Sequence, residues 1–203
     1  PPTMTAAPND DRQRDTSLRA TASIFREIRP GFSLRARGGW MYESILFHFV
    51  GGDEFSRAKT ALAEAEAVWA KQRSVTRLGL FGDAQNALSA GYEGRYFRND
   101  EALFFSQTVD FQQIMASFSG RLAFSDGRKP VPTGSLGLEK NGQNGWKSRC
   151  HFSRNFNLPT FNDRFWASGG NPDLRPESSW SAEIGTGFSQ KNGRGGSFSA
   201  DLT

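Results

Sequence analysis

Residues 153–177 read Ser-Arg-Asn-Phe-Asn-Leu-Pro-Thr-Phe-Asn-Asp-Arg-Phe-Trp-Ala-Ser-Gly-Gly-Asn-Pro-Asp-Leu-Arg-Pro-Glu. Pro159, Pro172 and Pro176 each lack an amide donor and fix their own φ, so this stretch is neither a central strand nor a helix interior. It lies between two segments that alternate apolar and polar residues. A connection of this length inside an all-β pattern is either disordered or functional. Phe156, Phe161, Phe165, Trp166 and Trp180 argue against disorder, because aromatic side chains favour packed or binding surfaces.

The flanking segments set the period. Before the stretch, Trp146, Ser148, Cys150 and Phe152 oppose Lys147, Arg149, His151 and Ser153. After it, Trp180, Ala182, Ile184 and Phe188 oppose Ser179, Ser181, Glu183 and Ser189. A period of two is the signature of strands with one apolar face. The same pattern runs through Leu18–Ile24, where every second residue is apolar, and through Leu34, Ala36, Trp40 and Tyr42 against Ser33, Arg35, Arg37 and Glu43. Residues 1–13 read as the end of a loop. Turn signals fall at Arg29-Pro30-Gly31, 84–87, Arg98-Asn99-Asp100, Ser125-Asp126-Gly127, 141–145 and 190–195. A short strand is expected over 101–109. Residues 52–72 depart from the pattern: Phe55, Ala58, Leu62, Ala65 and Trp69 recur at helical spacing behind Asp53 as N-cap, and predict a short helix within a long loop.

The sum is about ten strands in up-and-down order. Several exceed the five or six residues typical of soluble strands and suit a tilted membrane crossing, for which about nine to eleven are needed. Counting from Arg29, every second connection is short (28–31, 84–87, 109–112, 141–145, 190–195), while 48–73 and 154–178 fall in the other set. Outer-membrane barrels have short periplasmic turns and long extracellular loops, so both long connections are expected outside the cell. The polar face carries Arg19, Arg35, Arg37, Glu43, Arg77, Glu93, Arg95, Arg121, Glu139, Lys147, Arg149 and Glu183, and would line a lumen. The fold class expected is therefore all-β: part of an antiparallel up-and-down transmembrane β-barrel. A passive pore or adhesive surface barrel and a soluble carbohydrate-binding sandwich are the alternatives.

Composition agrees. The 203 residues are 36% hydrophobic with a mean hydropathy of −0.57, and no run of about 18 apolar residues marks a membrane helix. Alternation halves the apolar content of a membrane strand, so these values still allow a barrel. Lys and Arg are scattered singly behind a net charge of +4, which is no nucleic-acid footprint. Cys150 is the only cysteine, so no internal disulfide forms. It falls on the apolar face as a small hydrophobe.

Phe-Asn-Leu-Pro-Thr at 156–160, Asn-Asp-Arg-Phe-Trp at 162–166 and Gly-Asn-Pro-Asp-Leu-Arg-Pro-Glu at 170–177 together resemble the barrel of TonB-dependent outer-membrane receptors, closest to the vitamin B12 and siderophore receptor group. Asn157 stands where that group often has Arg. The resemblance implies a barrel of about 22 strands closed by a plug, of which residues 1–203 would be a fragment lacking the plug and the remaining strands. It implies a Gram-negative outer-membrane location, a small ligand such as a metal chelate or cobalamin, and coupling to the TonB complex through the missing plug. Haem receptors of the broad family carry a histidine within the signature, and Thr160–Gly170 has none. An arginine-rich lumen would either guide an anionic chelate or be neutralised by plug carboxylates.

No catalytic constellation is present, and the chain is not expected to be an enzyme or to hold a cofactor. His48 and His151 lack further ligands at metal-site spacing. The glycine pairs lack the strand–loop–helix context of a phosphate loop. Arg164, Phe165 and Trp166 are the candidate ligand contacts, being the residue types that anchor interfaces. Phe156, Pro159, Asn171, Pro172, Asp173, Pro176 and Glu177 are expected to shape the loop, with Asn171-Pro172-Asp173 in an Asx-type turn.

Overall fold

The computed structural model describes residues 11–49, 51–125, 128–142, 145–191 and 197–202. Ten strands follow one another: β1 (Arg12–Arg29), β2 (Phe32–Phe49), β3 (Gly52–Lys71), β4 (Ser74–Leu88), β5 (Arg95–Asp110), β6 (Ile114–Ser125), β7 (Val131–Asn141), β8 (Trp146–Asn157), β9 (Glu177–Lys191) and β10 (Ser197–Leu202). A single helical turn, α1 (Phe161–Phe165), lies between β8 and β9. Each strand pairs antiparallel with its sequence neighbours in one ten-stranded meander. β1 begins at Arg12, so residues 12–13, read as loop, are strand. The first ten residues, and the expected turns at 126–127, 143–144 and 192–196, lie outside the described residues.

Residues 52–72 are not helical. They form the longest strand, 20 residues, paired to β2 from Phe32↔Trp69 to Phe49↔Gly52 and to β4 from Arg57↔Leu88 to Lys71↔Ser74. The side chains explain the reversal. Ala61, Ala63, Ala65 and Ala67 point to one face and Thr60, Leu62, Glu64 and Glu66 to the other. Glu66 Oε1 meets Arg35 Nη1 at 2.8 Å and Glu64 Oε2 meets Arg37 Nη2 at 2.8 Å, both across the β2–β3 ladder. Further on, 84–87 is interior to β4 and 98–100 is interior to β5, so neither is a turn, and the strand expected at 101–109 is the second half of β5. The short connection is 72–73. With the chain reversing at 89–94 rather than at 84–87 and 98–100, the faces shift: Tyr96 lies with Arg98 and Asp100, and Arg95, expected on the polar face, lies with Phe97 and Leu103. Side-chain period is two, so one miscounted residue moves a whole strand to the other face.

The two faces differ in character. Leu18, Ile24, Leu34, Leu78, Leu80, Leu136, Leu138 and Ile184 stand exposed on one. The buried residues of the sheet, Gly79, Ala87, Ala102, Ala123, Ser153 and Gly185, all lie on the other, which is the inside of the curl. Aromatic pairs border the apolar face at two levels. Phe32 stacks on Trp69 (5.1 Å) and Trp146 packs on Phe188 (5.2 Å) at the end with the short turns. Trp40 stacks on Tyr42 (6.3 Å) and Phe152 on Trp180 (5.3 Å) towards the other end. Phe32 to Trp40 is about 26 Å of strand at ~3.3 Å per residue, or about 20 Å of height at a ~40° tilt, the order of the apolar band between the aromatic girdles of a membrane barrel.

The tight β1–β2 turn needs its glycine. Gly31 has φ +78°, and a Cβ there would lie 2.4 Å from the Ala70 carbonyl oxygen, whose own residue donates its N–H to Gly31 O at 2.8 Å.

An arginine at Ala65 is expected to cost about 2–4 kcal/mol, the penalty for a cation at the lipid midplane. Glu66→Gln, which weakens one half-exposed ion pair, should cost about 1 kcal/mol or less. Urea titration of the intact barrel in lipid vesicles measures both, and a larger cost at Glu66 would reverse the assignment of faces.

Candidate functional site

The connection 158–176 leaves the sheet at the end opposite the short turns and returns across the inner face. Its contacts reach β5, the 89–94 connection and the β6–β7 connection, where Arg128 Nη1 donates to Leu174 O at 3.2 Å. Arg98, half-buried on the inner face of β5, is the anchor. Its Nη1 donates to Pro159 O at 2.9 Å, its Nη2 donates to Gln85 Oε1 at 2.9 Å, and its Nε lies 3.0 Å from Asp100 Oδ2. The guanidinium also covers the Phe161 ring at 5.2 Å. Asp100 in turn accepts from Ser125 Oγ on β6. One side chain therefore ties the loop entrance to three strands.

Beyond Pro159, which is buried, the chain turns into α1 through a capping box. Thr160 Oγ1 accepts from Asp163 N at 3.1 Å and Asp163 Oδ2 accepts from Thr160 N at 2.8 Å. These bonds hold the Asp163 carboxyl below its ordinary range. The turn then seats its aromatic side chains. Phe165 stacks on Tyr96 with centroids 3.7 Å apart, Trp166 meets Tyr92 edge-on at 6.2 Å, and the Tyr92 hydroxyl donates to Asn162 Oδ1. Partial burial raises the Tyr92 phenol, which keeps that donor protonated. Ala167 N donates to Gly91 O at 2.8 Å, and Tyr92 and Trp166 form a β-bridge. The Trp166 indole lies so close over Gly91 that a Cβ there would be 2.5 Å from the ring.

The far side of the loop is shaped by its own backbone. Asn171 Oδ1 accepts from Asp173 N at 3.0 Å, which is an Asx turn through Pro172. Arg164 Nε donates to Pro172 O at 3.2 Å while its guanidinium lies 4.7 Å from the Phe165 ring centre. Pro176 is half-buried where the loop returns to β9. Phe156 and Glu177 sit in the strand ends that frame the loop, in the pairs Phe156↔Ser178 and Asn157↔Glu177. Of the three candidate contacts, Phe165 is packed, Arg164 is half-buried, and Trp166 is 42% exposed.

Below the loop, the inner wall carries a row of hydroxyls. Ser106, Ser119, Ser135, Ser153 and Ser181 are register partners across β5 to β9. Ser119 bonds Ser135 at 2.8 Å and Ser153 bonds Ser181 at 2.7 Å. With Arg121, His151 and Glu183 they line a groove of about 720 Å3. On β1–β3 the lumen arginines find their partners within the sheet: Arg19 with Glu43 at 2.9 Å, and Arg35 and Arg37 with Glu66 and Glu64. No group of His, Cys, Asp or Glu able to hold a metal occurs among the described residues.

Sequence inspection marks the loop but not its seat. Gln85, Tyr92, Tyr96, Arg98 and Asp100 carry no motif, and only the curl of the sheet brings them beneath residues 159–166.

Arg98→Ala is expected to free the loop entrance, raising protease cleavage within 158–176 at least tenfold while the barrel stays folded; two charge-assisted bonds of about 1.5–3 kcal/mol each are lost. Acid acts on the same segment. A carboxyl lowered in the folded state stabilises it above the ordinary value, 3.8, and the contribution disappears as the pH falls through the lowered value. Loop protection should therefore hold down to about pH 4 and then fall, and Thr160→Val should flatten that dependence.

A family model, TonB dependent receptor-like, beta-barrel, matches residues 5–202. The fold is similar to that of the siderophore receptor PirA from Pseudomonas aeruginosa, with a TM-score of 0.63 at 14% identity over 90% of this chain and 43% of that one. A vitamin B12 transporter, BtuB of Vibrio vulnificus (strain YJ016), is 60% identical over 30 residues, which are 15% of this chain and 5% of that protein. The chain thus spans less than half the length of the receptor it matches in structure. It belongs to the TonB-dependent receptor family, and with it to the non-enzymatic β-barrels of the Gram-negative outer membrane.

Proposed function

We propose that this chain is the wall and part of the mouth of a receptor that takes up a scarce metal chelate or cobalamin, driven through TonB. The observation that carries the reading is the 158–176 loop folded inward over β4 and β5, within a sheet that the family model matches almost end to end. A loop clamped over the lumen can narrow a passive pore as well, and the receptor reading is favoured by the family model over residues 5–202. A receptor that must hold its ligand until energy arrives has need of such a loop.

In this reading the loop is a fixed platform. Arg98 and the Thr160–Asp163 box set its course, Phe165 on Tyr96 fixes its height, and Arg164 and Trp166 face the ligand. Aromatic and arginine side chains bind well because they offer large contact area and charge at small cost in conformational freedom. Nothing covalent happens to the ligand. The plug and TonB contacts belong to the rest of the receptor, and the hydroxyl row on β5 to β9, with Arg121, His151 and Glu183 beside it, gives the wall a polar surface along which a solute passes.

The test is uptake by cells that make the full-length receptor, using labelled cobalamin and a labelled ferric siderophore in parallel. One of the two should enter, and entry should stop when TonB is deleted or the proton gradient is collapsed. Entry at an unchanged rate without TonB would establish a passive pore instead, and entry of neither would remove this ligand class. Trp166→Ala and Arg164→Ala should each weaken binding to the cell surface by roughly tenfold without lowering the amount of receptor.

A further inference from the structure

The 158–176 loop starts on β8 and takes its seat on β5, three strands away, about 14 Å at ~4.8 Å per strand. Between its two ends and the strands it passes, it leaves a pocket of about 620 Å3. The walls are Ala123 and Ser125 of β6, Val131 of β7, and Leu158, Arg175 and Pro176 where the loop departs and returns. Arg128 and Lys129 of the β6–β7 connection and Phe156 of β8 also line it. The bond from Arg128 to Leu174 O ties that connection to the returning limb of the loop.

The pocket sits where one ladder stops. β6 pairs with β7 as far as Ala123↔Val131, and β8 with β9 as far as Asn157↔Glu177, but β7 and β8 pair only up to Gly134↔Arg154. Pro132 is the cause. Asn141 N donates to Gln113 O, just before β6, at 2.7 Å, so by alternation the odd-numbered residues of β7 bond to β6 and the even-numbered ones to β8. Pro132 is therefore turned to β8, opposite Phe156, and has no N–H to give. A rung is missing there by sequence, and the small side chains of Ala123, Ser125 and Val131 beside it leave the space open.

The lining joins two characters. Ala123, Val131, Phe156, Leu158 and Pro176 are apolar, while Arg128, Lys129 and Arg175 bring positive charge against a single carboxylate, Glu177. Arg154 borders the pocket too, but its guanidinium lies over the Trp180 ring at 5.6 Å. Among the described residues none of Arg128, Lys129 and Arg175 is paired with a carboxylate, whereas Arg19, Arg35 and Arg37 on the inner wall of β1–β3 all are.

We infer that this pocket is a binding site for a small free organic anion, a carboxylate on an apolar body, separate from the face formed by Arg164 and Trp166. The apolar body fills the space between Val131, Leu158 and Pro176, and the carboxylate accepts from Arg128 and Arg175. Charge-assisted bonds of this kind are about twice as strong as neutral ones, and the guanidinium fork matches a carboxylate in shape. The volume lies within the range of small-molecule sites, about 300–1,000 Å3. An occupant bonded to both arginines joins the β6–β7 connection to the loop, so binding and loop closure strengthen each other. The inference concerns the base of the loop and stands independently of what the receptor transports.

Equilibrium dialysis of the full-length receptor in lipid nanodiscs tests it, with naphthalene-2-carboxylate as the probe, naphthalene-2-carboxamide and acetate as controls, and empty nanodiscs as the blank. One naphthoate per receptor is expected, with the amide and acetate each held roughly tenfold more weakly or worse. Lys129→Gln with Arg175→Gln, both at exposed positions, should lower naphthoate affinity roughly tenfold. Val131→Phe should do the same by filling the space. The exposed pair keeps the test valid should Val131→Phe not fold, as judged by heat-modifiable gel mobility. With naphthoate at about ten times its Kd, protease cleavage within 158–176 should slow about tenfold, because opening the loop dismantles the site. Retention no greater than by empty nanodiscs, equal retention of the amide, affinity unchanged in the Lys129→Gln, Arg175→Gln variant, or cleavage unchanged by bound naphthoate each overturns the proposal.

Discussion

A backbone that crosses hydrocarbon must satisfy its amides and carbonyls within the protein, since each one left open costs several kcal/mol. This constraint decides the course of β3. From Arg57 to Trp69 every residue is in register with both β2 and β4. Lifting the segment out as a helix would satisfy its own backbone but would open two strand edges, on β2 and on β4, to lipid. Helix propensity separates alanine and glutamate from strand formers by only tenths of a kcal/mol per residue. The ladder wins by a wide margin.

Alternation made the strands readable wherever the outward residues were large. Leu18–Ile24, Trp146–Phe152 and Trp180–Phe188 show the period of two without ambiguity. The segment 52–72 hides it because alanine serves as the apolar residue on both templates. Ala61, Ala63, Ala65 and Ala67 have the strand period, yet Ala58, Leu62, Ala65 and Trp69 also fall on a helical face. The second misreading, in 84–100, has a different cause. Asp83, Asn86, Asn99 and Asp100 are turn-forming types, but Asp83, Gln85, Arg98 and Asp100 face one another inside the barrel, where they bond side chain to side chain. One strand was missed and two were read as three, so the strand count and the side of the signature loop both survive.

The candidate site was legible only in its local half. The prolines, the Asn-Pro-Asp turn and the aromatic content of 156–166 are adjacent in sequence and carry their own turn chemistry. Their seat is not adjacent. Arg98 reaches Pro159 across 61 residues and Tyr92 reaches Asn162 across 70. Such pairings arise from curvature: a flat sheet would hold β4 and β8 about 19 Å apart at ~4.8 Å per strand. No periodic pattern in one strand encodes how far the next four will bend.

Register between neighbouring strands gives three of the lumen arginines their partners. Read as a row of charges, Arg19, Arg35 and Arg37 suggest a field that draws anions inward or a plug that neutralises them. Their carboxylate partners are instead Glu43, Glu66 and Glu64 on neighbouring strands, at 2.8–2.9 Å. A pair that close is a short dipole, and its field falls off faster than that of a free charge and is screened within about 8 Å at physiological salt. On β5 to β9 the same height of wall carries serine, which has no net charge. The serine row shares its groove with Arg121, His151 and Glu183, so this wall is polar and carries charges of both signs. The inner wall thus presents hydroxyls, closed ion pairs and the side chains of Arg121, His151 and Glu183, while aromatic rings and arginine are concentrated in the 158–176 loop.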